Sequence, residues 1–103
     1  MNWTAKSDTA ILVEIGRRIK DIRLHKNYTQ ADIAKMAGVT AVTVGKAERG
    51  EAVSMMNFIA ILRALKLLDN FEMLIPEQTI SPMELLKAQG KKRVRASKPK
   101  KNE

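Results

Sequence analysis

At 103 residues with 45% apolar side chains but few aromatics (one Trp, one Tyr, two Phe), the chain can build one modest helix-on-helix core and carry a tail. It has no cysteine and a single histidine, His25, which excludes disulfides, thiolate metal sites and any His-based metal cluster. No Gly-rich phosphate loop and no cluster of carboxylates supply a nucleophile and base either, so no catalytic residue, metal or cofactor is expected and an enzyme is the least favoured class.

The net charge of +8 is unevenly spread. Residues 1–86 hold 11 basic and 10 acidic side chains, a net +1, whereas residues 87–103 hold 8 basic and 1 acidic, a net +7. The folded part is therefore not a generic polycation, and any nucleic-acid binding by it has to use placed residues. No apolar run approaches the roughly 20 residues that span a bilayer, and Met1 to Ala10 lacks a signal peptide's apolar core, so the expectation is a cytoplasmic protein without membrane contact.

Residues 1–6 show no periodicity and read as a flexible arm, although Trp3 is apolar enough to pack on the domain or a partner. The domain proper is expected over residues 7–76. Ser7 can cap a first helix, with Asp8 near the positive end of its dipole. Ile11, Ile15, Ile19 and Ile22 then repeat at helical spacing, while Glu14, Arg17, Arg18, Lys20, Asp21 and Arg23 make a mixed-charge face that reads as solvated. Asn27 turns the chain toward Tyr28.

Thr29 to Gly50, TQADIAKMAGVTAVTVGKAERG, organises the rest. Thr29 and Asp32 form a capping box, Ile33, Ala34 and Ala37 share a face, and Gly38 supplies the left-handed residue that ends the helix. A second cap, Thr40, follows at once, with Val39 and Val44 at the two positions of a hydrophobic staple that fixes the next helix's angle of approach. That helix carries Ala41, Val42 and Thr43 in its first turn and Lys46 one turn later, and Gly50 closes it. Two short helices joined steeply through a glycine form a helix-turn-helix.

TQADIA, AGVT and KAERG closely resemble the phage-repressor and Cro-like (XRE) helix-turn-helix family, and the resemblance extends more loosely over about Ile11 to Pro76. It implies an all-α, five-helix DNA-binding domain whose third helix enters the major groove of double-stranded DNA. Carried over residue by residue, Gln30 would hold a phosphate and brace the reading helix. Thr40, Ala41, Val42, Thr43 and Lys46 would face bases or adjacent backbone, and Arg49 would touch phosphate. Arg23 and Glu48 stand where the family pairs an arginine with the glutamate of ERG, implying a structural ion pair. Two departures bear on specificity. Gly45 lies inside the reading helix, where glycine costs about 1 kcal/mol relative to alanine, and Ala41 and Val42 can touch thymine methyls but cannot make bidentate hydrogen bonds to a base. The alternative is that Val42 is a core residue of a slightly rotated helix.

Beyond it, Ser54 can cap a fourth helix whose Met55, Phe58, Ile61, Leu62 and Leu65 form a core stripe. Asp69 can cap a fifth, holding Phe71, Leu74 and Ile75 and ended by Pro76. Met56 and Ile59 fall off the stripe and, with Phe71 and Met73, are the candidate contacts for a homodimer or another partner; the alternative is a monomer with a larger core. Residues 77–90 read as a short C-terminal helical segment, since Ser81-Pro82-Met83-Glu84 combines a capping box with proline at the first helical position. Too short to be stable alone, it has to dock on something. Residues 91–103 read as a disordered basic tail with nucleic acid as its natural partner.

The sequence thus leads to a sequence-preferring transcriptional regulator, a repressor acting as a homodimer with helix 40–49 in the major groove. LIPE, SPMELL and the basic end also resemble, over fewer residues, small HipB-like antitoxins, which would add a HipA-type kinase toxin as a protein partner. A third reading keeps the repressor fold as a protein-interaction module without specific DNA binding, in line with the weakly polar Ala41, Val42 and Gly45.

Overall fold

The computed structural model describes residues 1–79 and 81–90, and the described residues are helical without a strand. Six helices follow in order: α1 (Asp8–His25), α2 (Gln30–Ala37), α3 (Ala41–Glu48), α4 (Met55–Ala64), α5 (Phe71–Leu74) and α6 (Pro82–Gly90). Single 3-10 turns precede α1 (Trp3–Ala5) and α5 (Leu68–Asn70). The basic stretch 91–103 lies outside the described residues.

Every helix except α5 starts on a serine or threonine whose hydroxyl accepts a first-turn amide that the helix itself cannot satisfy. At α2 the box is reciprocal: the Asp32 amide donates to Thr29 Oγ1 at 3.0 Å and the Thr29 amide to Asp32 Oδ2 at 2.9 Å. Ser81 and Glu84 repeat it at α6. The bend between α2 and α3 turns on Gly38, at φ 73°, whose amide and that of Val39 both return to the Ala34 carbonyl. Asn27 and Lys66 take the same left-handed conformation at the ends of α1 and α4.

Four helices meet in the core. Ile19 of α1, Ile33 and Ala34 of α2, Val44 and Ala47 of α3, and Ile61 and Leu65 at the end of α4 are buried together, with Ile15, Ile22, Tyr28, Phe58 and Leu62 packed around them. Two glycines let the backbone approach closely. A Cβ on Gly16 of α1 would come within 2.6 Å of the Glu48 carbonyl oxygen and closer still to that of Ala47. A Cβ on Gly50, which sits at φ 80°, would fall 2.6 Å from the Val13 Cα. The C-terminal end of α3 is therefore pressed against the middle of α1, backbone on backbone.

Several sequence expectations need correction. Met55, placed on the core stripe, is 75% exposed: it opens α4, and first-turn side chains lean toward the open N-terminal end of their helix. Asp69 does not cap α5; it lies in the preceding 3-10 turn, and the residue before α5, Asn70, makes no side-chain cap. The fifth helix is a single turn, and Ile75 has left it at φ −132° and ψ 80°, as a residue preceding proline must. Arg23, which periodicity put on the solvated face of α1 and the family resemblance paired with Glu48, is buried at 6% exposure and makes that ion pair. The opening segment 1–6 contains a 3-10 turn that sets Trp3 under the Arg18 guanidinium, 4.8 Å from the ring centroid, a cation–π contact.

Candidate nucleic-acid interface

Helix α3 has one buried and one exposed face. Val44, Gly45, Ala47 and Glu48 are buried, whereas Thr40, Ala41, Val42, Lys46 and Arg49 are exposed and Thr43 is half-buried. Val42 is 66% exposed, so it is not a core residue of a rotated helix. Thr40 caps the helix by accepting the Thr43 amide at 3.1 Å, and the two hydroxyls lie 2.9 Å apart, so one donates to the other and the leading turn is held rigid. Val39 is half-buried beside the fully buried Val44.

At the opposite end of α3 lies a polar anchor. Arg23 of α1 donates from Nε to Glu48 Oε2 at 2.6 Å and from Nη2 to Oε1 at 3.0 Å, and its Nη1 donates to the Tyr28 carbonyl at 2.8 Å. Gln30, the first residue of α2, donates from Nε2 to the same Glu48 Oε1 at 3.0 Å. Burial pushes the Glu48 carboxyl up, but the hydrogen bonds from Arg23 and Gln30 and the arginine's charge outweigh it and hold the group below the usual carboxylate range. The bond to Glu48 likewise raises Arg23 against the cost of burial. One carboxylate at the end of α3 thus ties that helix to both α1 and α2. A Cβ at Gly45 would sit 3.1 Å from Arg49 Nη1 and 3.6 Å from Gln30 Oε1, so the glycine leaves a shallow seat over which both side chains lie.

Around α3 the candidate phosphate contacts differ in how free they are. Gln30 spends one of its two amide donors on Glu48, leaving the other for a phosphate. Arg49 is exposed and engaged by Glu51 at 2.7 Å, a solvent-screened pair that a phosphate can displace at little cost. Lys46 makes no salt bridge among the described residues. On α1, by contrast, Arg17 is held by Glu14 at 2.5 Å and Asp21 at 2.6 Å, and Arg18 by Glu14 at 2.8 Å. Those hydrogen bonds from Arg17 and Arg18 lower the Glu14 pKa to about 2. This face of α1 is internally neutralised.

The candidate partner residues separate as well. Met56 and Met73 are 79% and 87% exposed, but Ile59 and Phe71 are half-buried. They are less available than the off-stripe positions implied: α4 packs against both α2 and α3, which covers more of its circumference than one stripe, and Phe71 lines a groove with Trp3, Phe58 and Leu62. Sequence reasoning missed Gly16, which carries no local signal because it acts only once α1 has crossed α3, and the Tyr28 carbonyl, which accepts from Arg23 across the turn after α1.

A family model described as helix-turn-helix matches residues 19–68, from the middle of α1 to the turn before α5. Among solved structures, the restriction-modification controller protein C.AhdI from Aeromonas hydrophila is similar at 34% identity and a TM-score of 0.53, over 56% of this chain and 89% of that one. The chain belongs to the XRE-type helix-turn-helix family. Like other XRE-type proteins it is a DNA-binding transcriptional regulator, and α2 and α3 are its helix-turn-helix. Comparison with curated proteins gives no significant match. No described helix of this XRE-type chain is long and apolar enough to cross a membrane.

Proposed function

We propose that the protein is a repressor that binds an operator as a homodimer, with residues 40–49 in the major groove. The observation that carries this reading is the division of α3: Val44, Gly45, Ala47 and Glu48 are fixed in the core, while Ala41 and Val42 in the leading turn and Lys46 one turn later stand exposed. In that position Ala41 and Val42 meet thymine methyls, Thr43 and Lys46 supply hydrogen bonds, and Gln30 and Arg49 hold phosphates on either side. With two apolar residues at the leading end, direct base reading is modest, and DNA shape supplies part of the preference. Two copies would engage half-sites about 34 Å apart. The reaction chemistry is nil: binding alone blocks or recruits transcription.

The likeness to a restriction-modification controller protein favours this regulator over the antitoxin version, in which α6 or the exposed methionines would contact a kinase toxin. It also favours it over a bare interaction module, as does the exposure of Val42. Selection of bound sequences from a random DNA pool with the full chain tests the proposal. Enrichment of a two-fold symmetric site supports it; recovery of unrelated sequences at every salt concentration refutes it.

A further inference from the structure

The turn that ends α3 brings an acidic side chain in among the cations which that helix exposes. The Gly50 amide donates to the Ala47 carbonyl at 3.1 Å, and the Glu51 amide reaches back to the Lys46 carbonyl at 2.9 Å, with Gly50 left-handed at φ 80°. Such paired bonds commonly end a helix on glycine, and they set the residue after the glycine against the helix's last turn, where an apolar contact is usual. Here that residue is Glu51, and the side chains of the last turn that stand exposed are Lys46 and Arg49. The turn has little freedom to shift, because the Gly50 backbone is pressed against Val13 of α1.

Glu51 Oε2 accepts from Arg49 Nε at 2.7 Å, and both side chains stay open to solvent, at 50% and 60% exposure. The hydrogen bond from Arg49, aided by the charges of Arg49 and Lys46 and opposed by a little desolvation, holds the Glu51 carboxyl below the usual carboxylate range, so it is an anion at neutral pH. To a guanidinium, a carboxylate and a phosphate offer the same thing: a charged oxygen acceptor. Glu51 therefore fills on Arg49 the place that a DNA phosphate would take. Once displaced, it remains as a negative charge beside the duplex's own, held there by the turn. The pairs on α1 differ, since Arg17 is gripped by two carboxylates, Glu14 and Asp21, whereas Arg49 has a single carboxylate partner.

We propose that Glu51 is a built-in brake on DNA binding, an internal stand-in for phosphate that occupies Arg49 and offsets the charge of Lys46 until the duplex displaces it. This rests on the reading of Arg49 as a phosphate contact and names what opposes that contact. Full-length chains carrying Glu51→Gln, Arg49→Ala or both are titrated with a duplex of random sequence across a range of salt concentrations. Glu77→Gln, which removes one exposed negative charge far along the chain from α3, serves as the control for net charge. All the substituted side chains are exposed, so folding is retained. Glu51→Gln should bind about threefold to fivefold more tightly, the scale of a displaced surface ion pair, with a salt dependence steeper by up to about one unit of slope. Glu77→Gln should bind like the parent, and Arg49→Ala should cancel the gain in the double variant. A gain in Glu51→Gln no larger than that in Glu77→Gln overturns the brake, and sparing of the phosphate reading then shows as weaker binding by Arg49→Ala alone. A double variant that binds as tightly as Glu51→Gln overturns both the brake and the phosphate role of Arg49. Weaker binding by Glu51→Gln also overturns the brake, since it makes the carboxylate a contact to the DNA instead of a rival to its phosphates.

Discussion

The buried Arg23–Glu48 pair gives the most direct test of how the reading helix is held. Both side chains are nearly sealed from water, at 8% and 3% exposure, and the carboxylate accepts three hydrogen bonds, two from Arg23 and one from Gln30. Glu48→Ala strands a guanidinium with only the Tyr28 carbonyl as acceptor, and removing one partner of a buried pair costs about 3–5 kcal/mol. Arg23→Ala strands the carboxylate and should cost as much. For a domain of this size the total stability is itself only about 4–10 kcal/mol, so either variant loses a large fraction of it. Glu48→Gln keeps the shape and loses the charge, costing about 1.5–3 kcal/mol. Arg23→Met combined with Glu48→Leu should come back to within about 1 kcal/mol of the parent, since an apolar pair fills the same space without desolvated charge; the residual loss is the orphaned Tyr28 carbonyl. Urea unfolding followed by circular dichroism measures all four, with unchanged slopes required for comparison. Single variants within 1 kcal/mol of the parent, or a double variant whose loss is the sum of the two singles, would refute the view that this pair is buried, coupled and structural.

Further tests address binding, backbone and pH. Lys46→Ala should weaken operator binding while leaving the unfolding curve unchanged within about 0.5 kcal/mol; a titration with unaltered affinity and preference means α3 is not the reading helix. Gly38→Ala, which meets no neighbour, should lose only the left-handed conformational penalty of about 1–2 kcal/mol, whereas Gly50→Ala adds a collision with the Val13 backbone and should lose distinctly more; equal losses in urea contradict the close approach. Glu48 and Glu14 both titrate below their unfolded value of about 4.5, so their stabilisation is complete above that pH and drains away as pH falls through the folded values. The unfolding midpoint should drop from pH 5 toward pH 2, and less steeply in Glu48→Gln; parallel profiles would remove Glu48 from the account. Deleting residues 91–103, which carry seven of the chain's basic side chains and one acidic one, should flatten the salt dependence of DNA binding by up to about six units of slope. An unaltered slope keeps that segment off DNA.

What could be read in the sequence was what is encoded locally. Ser7, Thr29, Thr40 and Ser54 each cap the helix that follows, and Gly38 takes the left-handed conformation its place after Ala37 demands. Periodicity located Ile19, Ile33 and Ile61 in the core, and the hydrophobic staple located Val44. The misreadings fall where tertiary packing overrides such patterns. By periodicity Arg23 looks like one more charge on a charged helix face, and only the family resemblance paired it with Glu48, 25 residues away. Gly16 looks like an ordinary blemish in a helix, because the carbonyls that exclude a Cβ there belong to α3. Met55 follows the helical period but sits in the first turn, where no preceding turn covers it. At the site itself, cap and staple placed Ala41, Val42 and Lys46 along α3 but left its rotation open, and their outward face, like the brace from Gln30 to Glu48, was legible only through family resemblance.

These observations together account for how so small a domain can present a rigid reading edge. An eight-residue helix with a glycine in it, such as α3, has too few internal hydrogen bonds to persist alone. Its last turn is therefore fixed three times over: by Val44 and Ala47 in the core, by the close approach of Gly16 and Gly50 to its end, and by the carboxylate of Glu48 gripped from α1 and α2. None of these contacts uses Ala41, Val42 or Lys46. The residues that hold α3 and those it leaves exposed are thus different, so on the proposed reading the exposed positions can be exchanged for side chains with other base preferences at little cost to folding. Such exchange should be nearly free at Val42, where the side chain contributes little burial to lose, and costly at Val44, which is fully buried in the core.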